Sequence, residues 1–184
     1  MKSLVFAAGI ATLALAPSAA SGAVMTVGGP LSKLCYESAL AGDGRDSSLD
    51  SCTRALQEEA LDPMDRAATL VNRGILNMAR HRDLEADADF NQALTIDDRL
   101  SDAWLNKGFL RIREGNGRDA LPLLQKGMDR GARRQALAIF ARGVAYEQMG
   151  DFRSAYADLR RAHQLEPGWD LPSQFLADYR ITPR

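Results

Sequence analysis

Residues 136–167 read ALAIFARGVAYEQMGDFRSAYADLRRAHQLEP, and this stretch decides the fold. Apolar residues recur at helical spacing on both sides of Gly150 and Asp151. Glycine commonly ends a helix and aspartate commonly caps the next one, so this pair marks a tight turn. The stretch therefore predicts two antiparallel helices joined by a short turn.

The same arrangement occurs twice more, earlier in the chain. Gly74, Gly108 and Gly143 are separated by 34 and 35 residues. Twelve residues after each glycine stands an alanine, and four residues further on stands a large apolar residue: Ala86, Ala120 and Ala155, then Phe90, Leu124 and Leu159. Features that recur in phase indicate structural repeats. A glycine inside a helix costs about 1 kcal/mol relative to alanine, so we expect two helix backbones to approach closely at each glycine, with the following alanine as the partner.

On these residues the chain resembles the tetratricopeptide repeat family, whose consensus places small, large and aromatic residues at fixed positions in a unit of about 34 residues. The repeat at 136–169 fits best, through Ile139, Gly143, Tyr146, Ala155, Leu159, Ala162 and Pro167. The repeat at 101–134 departs from the consensus at Arg111, Gly127 and Ala132, and the repeat at 67–100 departs at Asn77 and Asp98. The resemblance implies an all-α fold, a right-handed superhelix of about nine helices in antiparallel pairs, with its three repeats within residues 62–169.

Further helices are predicted on both sides of the repeats. Residues 31–61 have the pattern of a degenerate helix pair with a turn at residues 42–44. Cys35 and Cys52 stand at similar distances from that turn, which makes a disulfide geometrically plausible, the alternative being two buried thiols. Residues 170–184 are predicted to hold a capping helix and a tail, with Phe175, Leu176 and Tyr179 on one helix face.

The first 23 residues have the layout of a secretory signal peptide. Lys2 precedes an apolar run from Leu4 to Ala16, and small residues follow Pro17. Cleavage after Ala23 fits the pattern, and cleavage after Ala20 is the other candidate. A membrane anchor is the alternative, but the run is shorter than the ~20 apolar residues that a span requires. We therefore predict export across the inner membrane to the periplasm, with residues 24–30 as a linker; two cysteines in the exported part agree with this.

Charge and reactive groups argue against nucleic-acid binding and catalysis. The net charge is −1, and no nucleic-acid-binding motif is present. The two histidines, His81 and His163, lie in different repeats, and no cluster has metal-ligand spacing. We therefore predict no enzymatic activity, no cofactor and no metal.

The resemblance also implies a binding surface, because the first helix of each family repeat lines a concave groove. Carried onto this sequence, the groove residues are Val71, Asn72, Ile75, Leu105, Asn106, Phe109, Ile112, Arg113, Phe140 and Val144. Asn72 and Asn106 occupy the same repeat position, where an amide can hold a peptide's backbone N–H or C=O. Only Arg113 could serve in the carboxylate clamp of some family members, so that specificity is not supported.

Three alternatives for the groove remain open. It binds a helix or extended segment of a protein partner, which makes the protein an adaptor or scaffold. It binds another copy of the chain, which makes the protein a self-associating structural component. Or the chain fills the groove with its own residues. The sequence favours a protein or peptide partner, with apolar contacts at Leu105, Phe109, Phe140 and Val144.

Overall fold

The computed structural model describes residues 3–6, 22–26 and 28–182, which form nine helices and two short strands. The helices are α1 (Pro30–Ala41), α2 (Asp46–Glu58), α3 (Pro63–Ala79), α4 (Asp83–Ile96), α5 (Ser101–Arg113), α6 (Gly117–Asp129), α7 (Gln135–Gln148), α8 (Phe152–Leu165) and α9 (Asp170–Leu176). The strands are β1 (Ser3–Phe6) and β2 (Tyr179–Thr182), which pair antiparallel with Phe6 opposite Tyr179. The predicted all-α fold is confirmed, and the strand pair is an addition that the sequence did not indicate.

The three repeats are the hairpins α3–α4, α5–α6 and α7–α8, whose two helices pack closely against each other. Local signals place their ends. The Asp62 carboxylate accepts a hydrogen bond of 2.8 Å from the backbone N–H of Asp65, and Pro63 follows as the first helical residue. Gly150 ends α7 with φ of 78°, and Asp151 caps α8 by accepting from the Ser154 N–H at 3.1 Å.

Each repeat glycine makes room for a large side chain of the second helix. A Cβ at Gly74 would lie 2.5 Å from the Phe90 ring, and one at Gly108 would lie 2.6 Å from Leu124. At Gly143 the nearest atom is Cγ of Leu159, at 3.2 Å. At Gly74 and Gly108 the partner is the large residue rather than the predicted alanine, whereas at Gly143 the Ala155 carbonyl oxygen is also close, at 3.3 Å. The buried Phe90, Leu124 and Leu159 are therefore the points at which the hairpins interlock.

Asn77, at which the first repeat departs from the family consensus, belongs to a buried polar network. Its side-chain amide donates to Asp89 Oδ2 at 3.0 Å, and Arg73 Nη2 donates to Asp89 Oδ1 at 2.6 Å. A buried carboxylate needs such partners because desolvation is costly. Asn77 therefore takes the place of the consensus aromatic residue and, together with Arg73, binds the buried Asp89 carboxylate.

The helix pair α1–α2 packs on α3 and is joined by a disulfide. Cys35 and Cys52 are both fully buried, with 4.8 Å between their Cα atoms. The Glu59 carboxylate accepts from the backbone N–H groups of Leu31 and Ser32 at 2.6 and 3.0 Å. This contact satisfies unpaired donors at the start of α1 and fixes the point at which the chain enters the fold.

The C-terminal cap differs in extent from the prediction. The helix ends at Leu176, so Tyr179 is the first residue of β2 and does not share a helix face with Phe175 and Leu176. Most of the predicted signal peptide, including the apolar run after Phe6, lies outside the described residues; Ser3–Phe6, Gly22 and Ala23 are the exceptions. Export and the cleavage site stay predictions.

Candidate partner-binding face

The ten predicted groove residues all lie on α3, α5 and α7, the first helices of the three repeats. We call the surface formed by these three helices the inner face. Eight of the ten are almost fully buried: Val71, Asn72, Ile75, Leu105, Asn106, Ile112, Phe140 and Val144. Phe109 and Arg113 are partly exposed. Other parts of the chain therefore cover much of the inner face.

At the first repeat, the covering segment is the extended stretch Gly22–Thr26. The side chain of Asn72 binds the backbone of Val24 in both directions. Its Oδ1 accepts from the Val24 N–H at 2.8 Å, and its Nδ2 donates to the Val24 carbonyl at 2.7 Å. Ala23 and Val24 also pack against the apolar cluster of the N-terminal helices. An amide on the inner face thus holds an extended peptide through both polar groups of one residue.

At the second repeat, Gly22 lies against Asp102, near the start of α5. A Cβ at Gly22 would overlap the Asp102 carboxylate. Arg133 Nη2 holds that carboxylate from the other side, at 2.9 Å. Burial raises the pKa of Asp102, and the Arg133 interaction works in the opposite direction. The segment therefore runs from the second repeat to the first as the chain proceeds, opposite to the order of the repeats.

Asn106 lies on α5 one helical turn after Asp102 and occupies the repeat position of Asn72. It is 0% exposed, and neither its Oδ1 nor its Nδ2 has a hydrogen-bond partner among the residues that the structure describes. A buried amide without partners is unusual, because each unsatisfied group costs about 1–3 kcal/mol. Asn106 thus has the same backbone-binding atoms as Asn72 but does not use them.

At the third repeat, aromatic residues of the C-terminal cap cover the inner face. The Phe140 ring packs edge-on against Trp169 and Phe175, with centroids 5.0 and 5.1 Å apart. Tyr179 donates its hydroxyl to Glu147 Oε2 at 2.8 Å, and Val144 belongs to the same buried cluster. Phe140 and Val144 are therefore core residues in this chain, and Phe109 is the large apolar side chain among the ten that stays partly exposed.

Arg113 joins the first two repeats. Its Nη1 contacts the Met78 carbonyl and its Nη2 contacts the Asp83 carboxylate, both on the preceding repeat. Burial lowers the pKa of the guanidinium below its ordinary value. Because Arg113 already has these partners, it links the first two hairpins.

Reactive groups do not converge in the described part of the chain. His81 is exposed in the turn after α3, and His163 is half-buried on α8. Among the residues that the structure describes, no group of three or more His, Cys, Asp or Glu side chains is placed to hold a metal ion. None of the helices in those ranges is long and apolar enough to cross a membrane.

Comparison with known proteins agrees with this architecture. A sequence model of the tetratricopeptide repeat matches residues 136–169. MamA from Desulfovibrio magneticus RS-1 (residues 41 to the end) is similar in structure, with a TM-score of 0.64 and 21% identity over 80% of this chain and 82% of that one. The TPR domain of Arabidopsis OM64 gives a TM-score of 0.59 and 18% identity over 63% of this chain and 95% of that domain. No curated protein matches the sequence.

One segment of the chain thus matches the tetratricopeptide repeat by sequence, within a fold that is similar to that of a solved tetratricopeptide-repeat domain. The matched segment is the repeat that fits the family consensus best by sequence, and the structure adds the two divergent hairpins before it. At 18–21% identity the structural likeness shows the fold alone.

The residues that sequence reasoning missed lie outside the three helical hairpins. Val24 and Gly22 contact the inner face, but the sequence assigns them to a linker and to a cleaved segment. Their only local signal is composition, because the stretch 22–26 is uncharged and lacks helical periodicity. Such a stretch is able to lie extended along a surface, although nothing in it specifies which surface.

Proposed function

We propose that this protein is a non-catalytic interaction module that binds an extended segment of a partner protein along its inner face. The tetratricopeptide-repeat fold is one that generally serves protein–protein interaction. The observation that carries the proposal is the pair of hydrogen bonds between Asn72 and the backbone of Val24. Main-chain recognition of this kind gives affinity for extended peptides of many sequences.

The second repeat supplies the rest of the binding surface in this proposal. Asn106 stands at the position equivalent to Asn72 and has a donor and an acceptor that none of the described residues engages. Phe109, on the next turn of α5, is partly exposed and provides apolar contact. A partner segment that satisfies Asn106 removes the cost of an unpaired buried amide, so its binding is favoured.

We also propose that the protein acts outside the cytoplasm, in the periplasm or beyond. The signal-peptide layout of residues 1–23 supports this location. The disulfide between Cys35 and Cys52 also supports it, because such bonds persist mainly in oxidising compartments.

Affinity capture with matched variants tests the binding proposal. The protein is immobilised and incubated with an envelope extract, and retained proteins are identified by mass spectrometry. Phe109→Glu and Asn106→Leu are expected to lose a partner that the wild type retains. Leu84→Glu, at a position on α4 that is 86% exposed, is the control and keeps it. Circular dichroism checks that all variants remain helical. Undiminished capture by both inner-face variants rules the proposal out.

Self-association through the inner face is a second outcome of the same work. Light scattering over a range of concentrations detects it, since dimerisation raises the apparent mass with concentration. A monomer at all concentrations excludes this alternative, and a dimer that Phe109→Glu dissociates replaces the adaptor proposal.

A further inference from the structure

We propose that Gly22–Thr26 occupies the inner face as a bound peptide would, and we call it the resident ligand. A partner binds by displacing it with an extended segment of its own. That segment also has glycine two residues before the residue that Asn72 holds. This inference rests on the proposed function and adds the competitor and the partner's chemistry.

The contacts of the segment are those of a bound peptide. Residues 22–26 belong to no helix or strand. Within the described part of the chain, their hydrogen bonds are the two between Val24 and Asn72. Both bonds use backbone atoms, so another extended segment is able to form them equally well. Val24 is half-buried, and Met25 points to solvent with 64% exposure. The segment is therefore held as a ligand is, through its backbone and one side of its chain.

Gly22 sets a steric requirement on whatever occupies this position. Any side chain there would overlap the Asp102 carboxylate, since a Cβ added at Gly22 would lie only 3.0 Å from Cγ of Asp102. Arg133 holds Asp102 in place from the other side. We therefore expect a partner segment that runs in the same direction to favour glycine at this point, because any larger residue requires the Asp102 side chain to shift. One residue then follows before the residue whose backbone Asn72 binds.

The segment is also close to its site in the chain, which makes it a competitor. Only residues 27–29 separate Thr26 from the start of α1 at Pro30. A short tether gives a local concentration in the millimolar range. A partner must overcome this concentration, so its apparent affinity is lower than the intrinsic affinity of the inner face. Both predicted cleavage sites leave Val24 in the mature protein, but the proposal requires cleavage after Ala20, because cleavage after Ala23 removes Gly22.

The resident segment also leaves part of the inner face unused. No residue in the described part of the chain, the bound segment included, forms a hydrogen bond with the Asn106 side chain. A partner that engages Asn106 as well as Asn72 gains contacts that the resident segment does not make. Replacement is therefore favourable despite the tether.

A labelled peptide added to the full-length chain tests the proposal. The probe has the sequence of residues 19–27, AASGAVMTV, and its binding is followed by fluorescence anisotropy. Val24→Pro removes the N–H that donates to Asn72, which releases the resident segment. Met25→Pro is the matched control, at an exposed neighbouring position. We expect Val24→Pro to bind the probe about tenfold more tightly than the wild type or Met25→Pro, since one of the two competing hydrogen bonds is lost.

Two further arms locate the binding. Adding Asn72→Leu to the Val24→Pro chain is expected to abolish probe binding. A probe with valine in place of glycine, AASVAVMTV, is expected not to bind. Gly22→Val in the chain is expected to act like Val24→Pro, so a folding defect in one variant does not decide the result.

Equal probe affinity in the wild type, Val24→Pro and Met25→Pro overturns the resident-ligand proposal. Binding of AASVAVMTV as tight as that of AASGAVMTV overturns the glycine requirement. The proposed function stands in both cases if Phe109→Glu still loses the captured partner. If the capture experiment fails while Val24→Pro binds the probe tightly, the proposed function is wrong and the resident contact is retained.

Discussion

Asn72 and Asn106 stand 34 residues apart at the same position of consecutive repeats, and of the two only Asn72 has hydrogen-bond partners within the described ranges of the chain. Both side chains are fully buried. Asn72 is satisfied by the backbone of Val24, whereas Asn106 retains an unpaired donor and acceptor. The two amides therefore differ in whether the described part of the chain uses their hydrogen-bonding atoms.

The two asparagines give opposite predictions for stability. Replacing Asn106 with leucine, which is close in size, removes an unsatisfied buried amide and is expected to raise the free energy of unfolding by about 1–3 kcal/mol. Replacing Asn72 with leucine leaves the Val24 backbone unpaired and is expected to lower it by about 1–2 kcal/mol. Urea denaturation measures both. Destabilisation by Asn106→Leu as large as that by Asn72→Leu would contradict the account of Asn106.

The glycines of the three repeats are expected to differ in their tolerance of alanine. At Gly74 the new Cβ would lie 2.5 Å from the buried Phe90 ring, so Gly74→Ala is expected to lose about 1–3 kcal/mol of stability through overpacking. At Gly143 the nearest atom is 3.2 Å away, and alanine gains about 1 kcal/mol of helix propensity. Gly143→Ala is therefore expected to cost clearly less. Thermal unfolding of the two variants checks the order, and a reversed order refutes the packing argument.

His81 takes a turn position that glycine fills in the other two repeats. It stands seven residues after Gly74, as Gly115 does after Gly108 and Gly150 after Gly143. All three turn residues have positive φ, 57° for His81 and 76° and 78° for the glycines. A left-handed conformation costs a residue with a side chain roughly 1–2 kcal/mol, and glycine avoids this cost. Part of the gain is offset because glycine makes the unfolded chain more flexible. His81→Gly is expected to raise the unfolding free energy by about 0.5–1 kcal/mol, measured in urea. A clear loss of stability would contradict this expectation and would show that the His81 side chain makes a stabilising contact that the turn does not require.

The disulfide is expected to stabilise the N-terminal helix pair. Breaking the link between Cys35 and Cys52 is expected to lower the free energy of unfolding by about 3 kcal/mol in the chain-entropy model. The double variant Cys35→Ser/Cys52→Ser, compared with the oxidised wild type in urea, measures this loss. Thiol titration of the denatured, unreduced protein gives no reactive thiol if the bond is present, and two reactive thiols would refute it.

Glu147 is expected to make stability depend on pH at the C-terminal cap. Burial raises its pKa above the ordinary value of 4.5, and the hydrogen bond from Tyr179 offsets only part of the effect. A raised pKa in the folded state means that the contribution of Glu147 is greatest below pH 4.5 and is lost as the pH rises through the folded-state pKa.

Glu147→Gln keeps an acceptor for Tyr179 but cannot ionise. Its stability relative to the wild type is therefore expected to rise as the pH increases above 4.5. Urea denaturation of both proteins between about pH 4 and pH 8 gives the difference at each pH. Parallel stability curves for the two proteins would show that Glu147 ionises as easily in the folded chain as in the unfolded chain.

The sequence predicted the elements that local signals and repetition specify. Gly74, Gly108 and Gly143 identified the hairpins, Gly150 and Asp151 marked a turn, and the placement of Cys35 and Cys52 indicated a bond that the structure contains. These predictions succeed because each depends on the helix period or on residues close in sequence.

The occupancy of the inner face was not predictable in the same way. Asn72 was predicted to bind the backbone of a partner peptide, and in the structure it binds the backbone of Val24, which lies 48 residues away with no pattern that links the two. Phe140 was expected to contact a partner, whereas Trp169 and Phe175 cover it. Tyr179 was placed in a helix because a short strand leaves little trace in sequence. Each of these outcomes depends on contacts between distant segments.

The most direct test of the central claim, that the inner face holds a peptide through Asn72, is nuclear magnetic resonance of the asparagine side-chain amides in the full-length chain. We expect the Asn72 amide protons to exchange slowly and to show a nuclear Overhauser effect to the backbone of Val24, given the 2.7 Å bond from Asn72 Nδ2 to the Val24 carbonyl. Both signatures are expected to vanish in Val24→Pro and to persist in Met25→Pro. The absence of any contact between Asn72 and Val24 in the wild type would contradict the account.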